Sequence, residues 1–305
     1  MVVDDGWRLE KPARGRGESP PVALAPKASR CLRAARGHDL QVERHRRLIF
    51  HHGEFGAGRL AQARAGRVSV CIPARDEEKT VGAVVGAVHR ALTAAGGGVD
   101  LVDEIVVADD GSQDATAAEA EGAGARVISV GAGRGAKGRA MAAGLSATDG
   151  DVVVFLDADV TDFGPHFVVG LLGPLLAGPE ELQLVKAFYE RPIEGRVDGG
   201  GRVTELVARP VIELLFPALT HIRQPLAGET AARRGALDHI TLEPGYGVEL
   251  GLLVDIAEAC GVGAIAQVDL GSRAHRNRPL EELRPQATDV LRAALSRAGA
   301  VIATS

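Results

Sequence analysis

Short apolar runs rich in β-branched residues alternate with segments of helical periodicity from Arg67 onward. Four of these runs have the length and composition of buried strands, and they end at Pro73, Asp109, Val130 and Asp157. After the first run, apolar residues recur at helical spacing, at Val81, Val84, Val85, Val88 and Leu92. The acidic residues 76–78 stand where the first turn of that helix is expected. Strands that alternate with helices predict an α/β fold with a Rossmann-like, mostly parallel sheet and flanking helices.

The second half of the chain continues this pattern less regularly. Strands are predicted at 182–188 and 263–270, and helices at 203–215, 250–259 and 280–297. Pro210 should bend or interrupt the first of these helices, because proline lacks an N–H group and its ring crowds the preceding turn. We therefore divide the ordered chain into a first half, residues 46–190, and a second half, residues 191–305, which ends in the C-terminal helix.

Residues 1–45 differ from the rest of the chain. They contain scattered basic residues and a segment rich in glycine and proline, with no sustained period. This composition is typical of a flexible tail. A weak electrostatic contact between this basic tail and a partner stays open, and a solvated arm is the simpler interpretation.

Composition narrows the class of protein. The 305 residues are 46% hydrophobic and 25% charged, which is enough for a sizeable core. The net charge of −5 argues against nonspecific binding to nucleic acid as the main activity. The three cysteines have no metal-binding spacing and no disulfide pattern, so a reducing cytoplasm is expected. No apolar stretch is long enough to span a membrane, and the N-terminus lacks the apolar core of a signal peptide.

Two carboxylates one residue apart, Asp157 and Asp159, follow the fourth predicted strand. Charges at the tip of a buried strand are costly unless a cation or several hydrogen-bond donors meet them there. In an α/β sheet the carboxyl ends of the strands face the ligand crevice. The motif therefore indicates an Asp-x-Asp site for a divalent metal and a diphosphate. The alternative is an acidic turn after a strand, because an isolated Asp-x-Asp pattern is common.

Acidic residues also follow two other predicted strands, in the segments 73–77 and 109–110. Three independent strands thus place polar residues at one edge of the sheet, which favours a ligand crevice. The segment from Pro73 to Glu77 can seat a nucleotide base and ribose, because carboxylates accept hydrogen bonds from sugar hydroxyls and ring N–H groups. Asp110 can take part from the neighbouring strand. Each acid taken alone is also explained as a charge at a helix N-terminus.

Three further segments carry candidate ligands for anions or metals. Lys137 lies in the glycine-rich loop 131–138, from which it can reach a phosphate. Residues 201–204 precede a helix and combine backbone N–H groups with an arginine and a threonine, which suits a phosphate or a carboxylate. His275 lies in a basic loop and can complete a divalent site with the Asp-x-Asp pair. Without context these residues read as a solvated lysine, a glycine hinge and a structural histidine.

Together these segments resemble the glucosyl-3-phosphoglycerate synthases of actinobacteria, which are retaining glycosyltransferases of the GT-A fold. Three motifs fit many GT-A enzymes, at 73–78, 109–112 and 157–159. Four motifs are more specific to the family, at 199–210, 244–249, 264–268 and 275–279. The resemblance covers roughly Arg67 to the C-terminus, and four specific segments in the same order are difficult to obtain otherwise.

The resemblance implies that the first half binds a nucleotide sugar and that the second half binds the acceptor. It implies a nucleotide pocket lined by Pro73, Ala74, Glu77 and Asp110. Lys137 would contact the nucleotide sugar and its phosphates, Asp157 would hold the ribose or donor sugar, and Glu249 would hold the sugar hydroxyls. The expected catalytic residues are Lys137, Asp159 and Glu249.

The acceptor implied by the resemblance is 3-phosphoglycerate. Its expected binding residues are Gly201, Arg202, Thr204, Tyr246, His275, Asn277 and Arg278. A divalent cation, Mg²⁺ or Mn²⁺, would be held by Asp159 and His275. The family also implies a homodimer, and a product used to make methylglucose lipopolysaccharide or the solute glucosylglycerate.

The expected reaction moves glucose from a nucleotide sugar, with UDP-glucose as the leading donor, to the 2-hydroxyl of 3-phosphoglycerate. Front-face attack is the favoured route to retention, with the leaving phosphate oxygen taking the proton, and Glu249 as a covalent nucleophile is the alternative. Ala158 and Asp110 stand where familiar members of the family carry serine. These differences leave open GDP-glucose or GDP-mannose as donors, and a mannosyl-3-phosphoglycerate synthase.

Other classes of protein are less consistent with the sequence. A sugar-nucleotide pyrophosphorylase normally carries a glycine-rich signature near its first strand, where this chain has residues 73–77. A non-catalytic nucleotide-binding protein would not need the clusters around Arg202 and Asn277. A membrane-bound polyprenyl-phosphate glycosyltransferase usually has hydrophobic C-terminal segments, which the sequence lacks.

Overall fold

The computed structural model describes residues 48–131, 137–190, 201–273 and 280–300. Its strands are β1 (Ile49–His51), β2 (Val68–Ala74), β3 (Glu104–Asp109), β4 (Arg126–Ser129), β5 (Val152–Phe155), β6 (Leu184–Glu190), β7 (Thr230–Arg233) and β8 (Ile265–Ser272). Its α-helices are α1 (Ala57–Ala63), α2 (Val81–Leu92), α3 (Thr116–Gly122), α4 (Lys137–Ser146), α5 (His166–Ala177), α6 (Arg209–Leu215), α7 (Arg234–Leu237), α8 (Val248–Cys260) and α9 (Leu280–Arg297). The expected basic tail, residues 1–45, lies outside the described residues.

The strands form one eight-stranded sheet in the order β1-β8-β6-β7-β5-β2-β3-β4. All neighbouring strands are parallel except β7, which runs antiparallel to both β5 and β6. The prediction of a mostly parallel α/β sheet with flanking helices is thereby confirmed. Strands from both sides of residue 190 belong to this sheet, because β7 and β8 pair directly with β5 and β6.

The core lies on both faces of the sheet, because successive side chains of a strand point in opposite directions. In β2, Val70 and Ile72 belong to the cluster that packs under α2 and α5. Cys71, between them, belongs to the cluster that packs under α8 and α9. Buried strands of this kind read as continuous apolar runs, which is why they could be recognised in the sequence.

Several elements could not be recognised in the sequence. Helix α5 buries nine consecutive residues from Phe167 to Leu175, so it has no amphipathic stripe to mark it as a helix. Strand β7 consists of Thr-Ala-Ala-Arg, which is short and poor in strand-forming residues. The small edge elements β1 and α1 were also missed.

The acidic residues 76–78 were expected to form the first turn of α2, but they lie before the helix. The helix begins at Val81, and the carbonyl of Glu77 accepts hydrogen bonds from the N–H groups of Thr80 and Val81. Asp76 has a φ of 54°, a left-handed conformation that aspartate tolerates better than most residues. The turn that follows β2 therefore places these acids at the carboxyl edge of the sheet and outside the helix.

Pro210 interrupts the predicted helix 203–215 in a specific way. Residues Thr204–Ala208 form a π-helical turn, which continues directly into α6 with Pro210 near its start. The wider turn accommodates the missing N–H group of proline and relieves the clash of its ring with the preceding turn. In the described part of the chain, no helix has the length and hydropathy needed to cross a membrane.

Candidate active site

The ammonium group of Lys137 lies between two carboxylates that were predicted to bind the donor. Its Nζ atom is 2.6 Å from Asp157 Oδ1 and 2.6 Å from Glu249 Oε1. All three side chains are largely buried, with exposures of 19%, 18% and 8%. The structure therefore joins residues that are distant in the sequence into one ionic cluster at the carboxyl edge of the sheet.

The expected position of Lys137 in a glycine loop is wrong. Lys137 is the first residue of α4, and it is packed against the turn that precedes α8. The next residue, Gly138, allows this packing, because a Cβ atom there would lie 1.6 Å from the carbonyl oxygen of Glu243. The N–H group of Arg139 donates to the carbonyl of Pro244 at 3.0 Å and fixes the contact.

Glu249 likewise lies inside a helix, which begins two residues before the start expected at residue 250. It is the second residue of α8 and is buried. A carboxylate in the first turn of a helix is stabilised by the helix dipole. At this position Glu249 contacts Lys137, which Asp157 also contacts.

Arg273 holds both carboxylates of the Asp-x-Asp motif. Its Nη1 atom is 3.1 Å from Asp157 Oδ2, and its Nη2 atom is 2.8 Å from Asp159 Oδ1. Arg273 follows β8 directly and is 3% exposed. Gly228 makes room for this arrangement, since a Cβ atom there would lie 2.2 Å from Asp157 Oδ1.

A second layer of polar side chains lies beneath Arg273. Glu229 is fully buried, with its Oε1 atom 2.8 Å from Arg273 Nη1. The hydroxyl of Tyr189 donates to Glu229 Oε2 at 2.9 Å and lies 2.7 Å from Arg273 Nη1. Nearby, the ammonium group of Lys186 donates to the carbonyl of Ala227 and to the hydroxyl of Thr230.

These contacts shift the pKa values of the cluster. Burial opposes the charge on Lys137, but Asp157 and Glu249 outweigh it and raise its pKa well above the usual value. Burial also opposes ionisation of Asp157, yet Lys137 and Arg273 hold its pKa well below the usual range. Burial lowers the pKa of Lys186 to about 8 and raises the pKa of Glu229. Lys137 and Asp157 are therefore both charged at neutral pH.

The residues predicted to bind the nucleotide gather at the ends of β2 and β3. The backbone N–H of Asp110 donates to the carbonyl of Ala74 at 2.9 Å, so the two segments are directly joined. Glu77 is half-buried, and its backbone N–H donates to the hydroxyl of Thr116 at 2.7 Å. Pro73 lies next to Ala74 in β2 and is also half-buried.

Asp110 is almost completely buried and pairs with two arginines. Arg139 Nη2 bonds its Oδ1 atom, and Arg75 Nη1 lies 3.6 Å from its Oδ2 atom. Arg139 and Lys137 are two residues apart at the start of α4. The first turn of this helix therefore connects the end of β3, at Asp110, with the end of β5, at Asp157.

The predicted acceptor residues lie in separate segments of the second half of the chain. Gly201 has a φ of +84° and stands before the helical segment that contains Arg202 and Thr204. Arg202 is half-buried and Thr204 is buried. Tyr246 is half-buried, and its backbone N–H donates to Asp289 Oδ2 at 3.1 Å. The remaining predicted residues, His275, Asn277 and Arg278, lie outside the described residues.

The donor chemistry of Asp159 fits a hard divalent cation. Its side chain is 30% exposed, the most of any carboxylate that Arg273 contacts. Arg273 binds Oδ1, and within the described ranges Oδ2 makes no hydrogen bond to another side chain. An oriented carboxylate with one available oxygen is a typical ligand for Mg²⁺ or Mn²⁺. No group of three or more metal-binding side chains occurs among the described residues, and the second predicted ligand, His275, is not among them.

Sequence reasoning missed the polar and charged residues that order this site: Arg75, Arg139, Tyr189, Glu229 and Arg273. Arg273 stands only two residues before His275, in the sequence Ser-Arg-Ala-His. That spacing was the available signal, because a cation next to a predicted metal ligand invites a search for acidic partners. Glu229 gave no signal, since it precedes a strand that was not predicted.

Known proteins resemble this chain in sequence. A model of glycosyl transferase family 2 matches residues 69–180. The glucosyl-3-phosphoglycerate synthase of Mycobacterium tuberculosis (strain CDC 1551 / Oshkosh) is 46% identical over 264 residues, which cover 82% of this chain and 79% of that protein.

Solved structures give the same result. The crystal structure of the M. tuberculosis synthase in complex with Mn²⁺, UDP-glucose and phosphoglyceric acid matches with a TM-score of 0.76 at 43% identity, covering 84% of this chain and 88% of that one. Mannosyl-3-phosphoglycerate synthase from Rubrobacter xylanophilus matches with a TM-score of 0.77 at 40% identity, covering 84% and 82%.

The expected GT-A fold is thereby confirmed. By fold, by sequence identity and by the motifs that meet at the carboxyl edge of its sheet, this chain belongs to the glucosyl-3-phosphoglycerate synthase family of glycosyltransferases.

Proposed function

We propose that this protein transfers glucose from UDP-glucose to the 2-hydroxyl of 3-phosphoglycerate, giving glucosyl-3-phosphoglycerate. The observation that carries this proposal is the cluster in which Lys137 bridges Asp157 and Glu249 beside Asp159. A crevice with carboxylates for sugar hydroxyls and a cation for phosphate suits a nucleotide sugar. The substrates named for the relatives, UDP-glucose and phosphoglyceric acid, support the same reaction here.

The side chains of the cluster have different roles in binding the donor and in its reaction. Asp157 and Glu249 accept hydrogen bonds from ribose or sugar hydroxyls, and Lys137 neutralises charge on the diphosphate as it leaves. Asp159, together with His275, holds a divalent cation. That cation, when bound, supplies Lewis-acid stabilisation of the departing diphosphate.

Retention of configuration follows from front-face attack in this proposal. A covalent route needs a carboxylate that is free to reach the anomeric carbon. Glu249 is the candidate for that route, but Lys137 binds it at 2.6 Å and keeps it in the role of a hydrogen-bond acceptor. The acceptor hydroxyl therefore attacks on the side of the leaving group and passes its proton to the leaving phosphate oxygen.

Residues in the second half of the chain orient the acceptor by binding its charged groups. Gly201, Arg202 and Thr204 offer backbone N–H groups, a guanidinium and a hydroxyl at the start of one helical segment. Tyr246, Asn277 and Arg278 complete this part of the proposal. Phosphate binding at a distance from the reacting hydroxyl places the hydroxyl for attack and so contributes to the rate.

A GDP-sugar is the second candidate for the donor, and Asp110 is the observation that favours it. A buried carboxylate in the nucleotide pocket can accept two adjacent N–H groups, such as those of a guanine edge. A uracil edge offers one N–H between two acceptors. Arg75 and Arg139 offset this preference, because they occupy the Asp110 carboxylate and can donate to uracil oxygens.

The test is a donor panel with 3-phosphoglycerate and Mg²⁺ or Mn²⁺. UDP-glucose, GDP-glucose, UDP-mannose and GDP-mannose are compared by release of nucleoside diphosphate and by mass of the product. The proposal expects the highest kcat/KM with UDP-glucose and no release without the acceptor. A higher kcat/KM with GDP-mannose would assign the mannosyl reaction instead, and release that depends on pyrophosphate would indicate a pyrophosphorylase.

We also propose that the enzyme is a cytoplasmic homodimer. Leu206 and Leu214 are 73% and 79% exposed on the segment that leads into and forms α6, which is unusual for large apolar side chains. The cytoplasmic part of the proposal is supported by the spacing of the three cysteines, which has no disulfide pattern. Sedimentation of the wild-type protein and of a Leu206→Glu, Leu214→Glu variant tests the dimer.

A further inference from the structure

The fully buried carboxylate of Glu229 has no place in the chemistry described so far. It lies beneath the Asp-x-Asp pair with no exposed surface, so neither substrate nor metal can reach it. Its two oxygens face Arg273 Nη1 at 2.8 Å and the hydroxyl of Tyr189 at 2.9 Å. Both of these partners lead to the guanidinium that binds the active-site carboxylates, because the Tyr189 hydroxyl also lies 2.7 Å from Arg273 Nη1.

A buried charge at this position is costly for the fold. Removing a carboxylate from water costs several kcal/mol, and a buried ion pair is often no more stable than apolar residues of the same volume. Arg273 does not require Glu229 for neutrality, because it already contacts Asp157 and Asp159. Stability alone therefore gives no reason for a third carboxylate on one guanidinium.

The charges of the described site can be paired. Lys137 is offset by Glu249, with which it is in contact, and Arg273 is offset by Glu229. Lys186 adds a third cation, which bonds neutral oxygens, and Asp157 and Asp159 add two further carboxylates. Together these groups carry one more negative than positive charge, and this excess favours a divalent cation at Asp159.

We propose that Glu229 is a positioning residue that acts through Arg273. It neutralises and anchors this guanidinium, so that Arg273 orients Asp157 and Asp159 without cancelling their attraction for a divalent cation. Hydrogen-bonded partners of metal ligands commonly tune affinity in this way. The inference rests on the proposed function, because it assumes that Asp159 binds the cation.

The experiment measures Mn²⁺ binding directly, by electron paramagnetic resonance of the free ion, in the full-length protein without nucleotide. Glu229→Gln keeps the size of the side chain and removes its charge. The matched control is Glu104→Gln, which removes another arginine-paired carboxylate at the opposite end of the parallel strands. Removing one negative charge near the cation should raise the Mn²⁺ Kd about tenfold in Glu229→Gln and less than about twofold in Glu104→Gln.

Activity provides an independent measurement, because a purely structural role of Glu229 would not make kcat depend on the Mn²⁺ concentration. The kcat of Glu229→Gln should recover when Mn²⁺ is raised about tenfold, with an unchanged KM for 3-phosphoglycerate. Glu229→Asp, which keeps the charge, should retain a Kd within about threefold of the wild type. Tyr189→Phe removes the hydroxyl between Glu229 and Arg273, and it should raise the Kd about threefold.

The outcomes are distinct. An unchanged Mn²⁺ Kd in Glu229→Gln, with wild-type protein that binds Mn²⁺, would overturn this inference and leave the proposed function intact. Wild-type protein that binds no Mn²⁺ would overturn both the inference and the metal-dependent part of that function. If Glu229→Gln does not fold, Tyr189→Phe decides, since an unchanged Kd there overturns the inference and a raised Kd supports it.

Discussion

Gly138 and Glu243 touch through their backbones, so closely that a Cβ atom on Gly138 would lie 1.6 Å from the Glu243 carbonyl oxygen. This contact seats the first turn of α4 on the turn before α8. Lys137 precedes Gly138, and Glu249 follows the turn at the start of α8. One glycine therefore brings together the cation and the carboxylate of the active site.

We expect Gly138→Ala to destabilise the protein by about 1–3 kcal/mol, because the added methyl group overlaps backbone atoms that cannot move independently. Turnover should fall more than about tenfold, since α4 must shift and carry Lys137 away from Glu249. Urea unfolding and kcat measure the two effects. Gly122→Ala is the control, because a Cβ atom there meets nothing within 4 Å and alanine favours a helix.

Lys137→Met should lower kcat by about two orders of magnitude, because it removes the cation that opposes charge on the leaving diphosphate. It also leaves Asp157 and Glu249 without their shared partner, so the pKa of Asp157 should rise towards its usual range. Lys137→Arg should retain more activity, since it keeps the charge. Steady-state kinetics with saturating donor measure kcat, and a Lys137→Met enzyme within threefold of the wild type would exclude this role.

Lys186 gives a pH dependence with a definite sign. Its pKa is lowered to about 8 in the folded state by burial, whereas the unfolded chain keeps the ordinary value near 10.5. Between these values the unfolded state binds more protons, so stability rises with pH. The free energy of unfolding of the wild type, relative to Lys186→Met, should increase by about 2 kcal/mol between pH 7 and pH 9.5.

Urea unfolding of both proteins at the two pH values measures this difference. Groups other than Lys186 titrate in both proteins, so their contributions largely cancel in the comparison. A constant difference between wild type and Lys186→Met across this range would mean that Lys186 keeps its ordinary pKa when folded.

Arg202→Ala should raise the KM for 3-phosphoglycerate about tenfold or more and leave the KM for the donor within about twofold, because a guanidinium bonded to phosphate contributes a strong charge-assisted contact. Arg209→Ala is the control on the same helical segment, where Arg209 pairs with Glu205 at the surface. Steady-state kinetics with each substrate varied in turn separate the two KM values. An equal rise in both KM values would indicate a structural defect instead.

The sheet could be predicted from the sequence where its strands are continuous apolar runs, as in β2, β3 and β5. The prediction ended where local pattern no longer reports structure. Helix α5 is buried on all sides, and β7 is formed by tertiary pairing between β5 and β6 without a strong preference of its own. Lys137 was assigned to a loop because its glycine neighbours are typical of loops, whereas Gly138 serves close packing against Glu243.

Prediction of the candidate site was limited in the same way as prediction of the sheet. Asp157, Asp159 and Glu249 could be chosen because carboxylates in family motifs have recognisable spacing. Arg273 and Glu229 were not chosen, since each acquires its role by contact with residues forty or more positions away. Sequence spacing reports neighbours along a strand or helix, and it does not report which buried charges meet across the sheet.

The position of β7 between β5 and β6 has a consequence for how the chain folds during synthesis. Within the described residues β6 pairs with β7 and β8, so it can join the earlier strands only after β7, residues 230–233, has left the ribosome. Until then β5 has an unpaired edge, which is open to incorrect pairing with other chains. Strands β2 to β5 can assemble as the chain emerges, but the sheet is complete only after the last quarter of the chain has been synthesised.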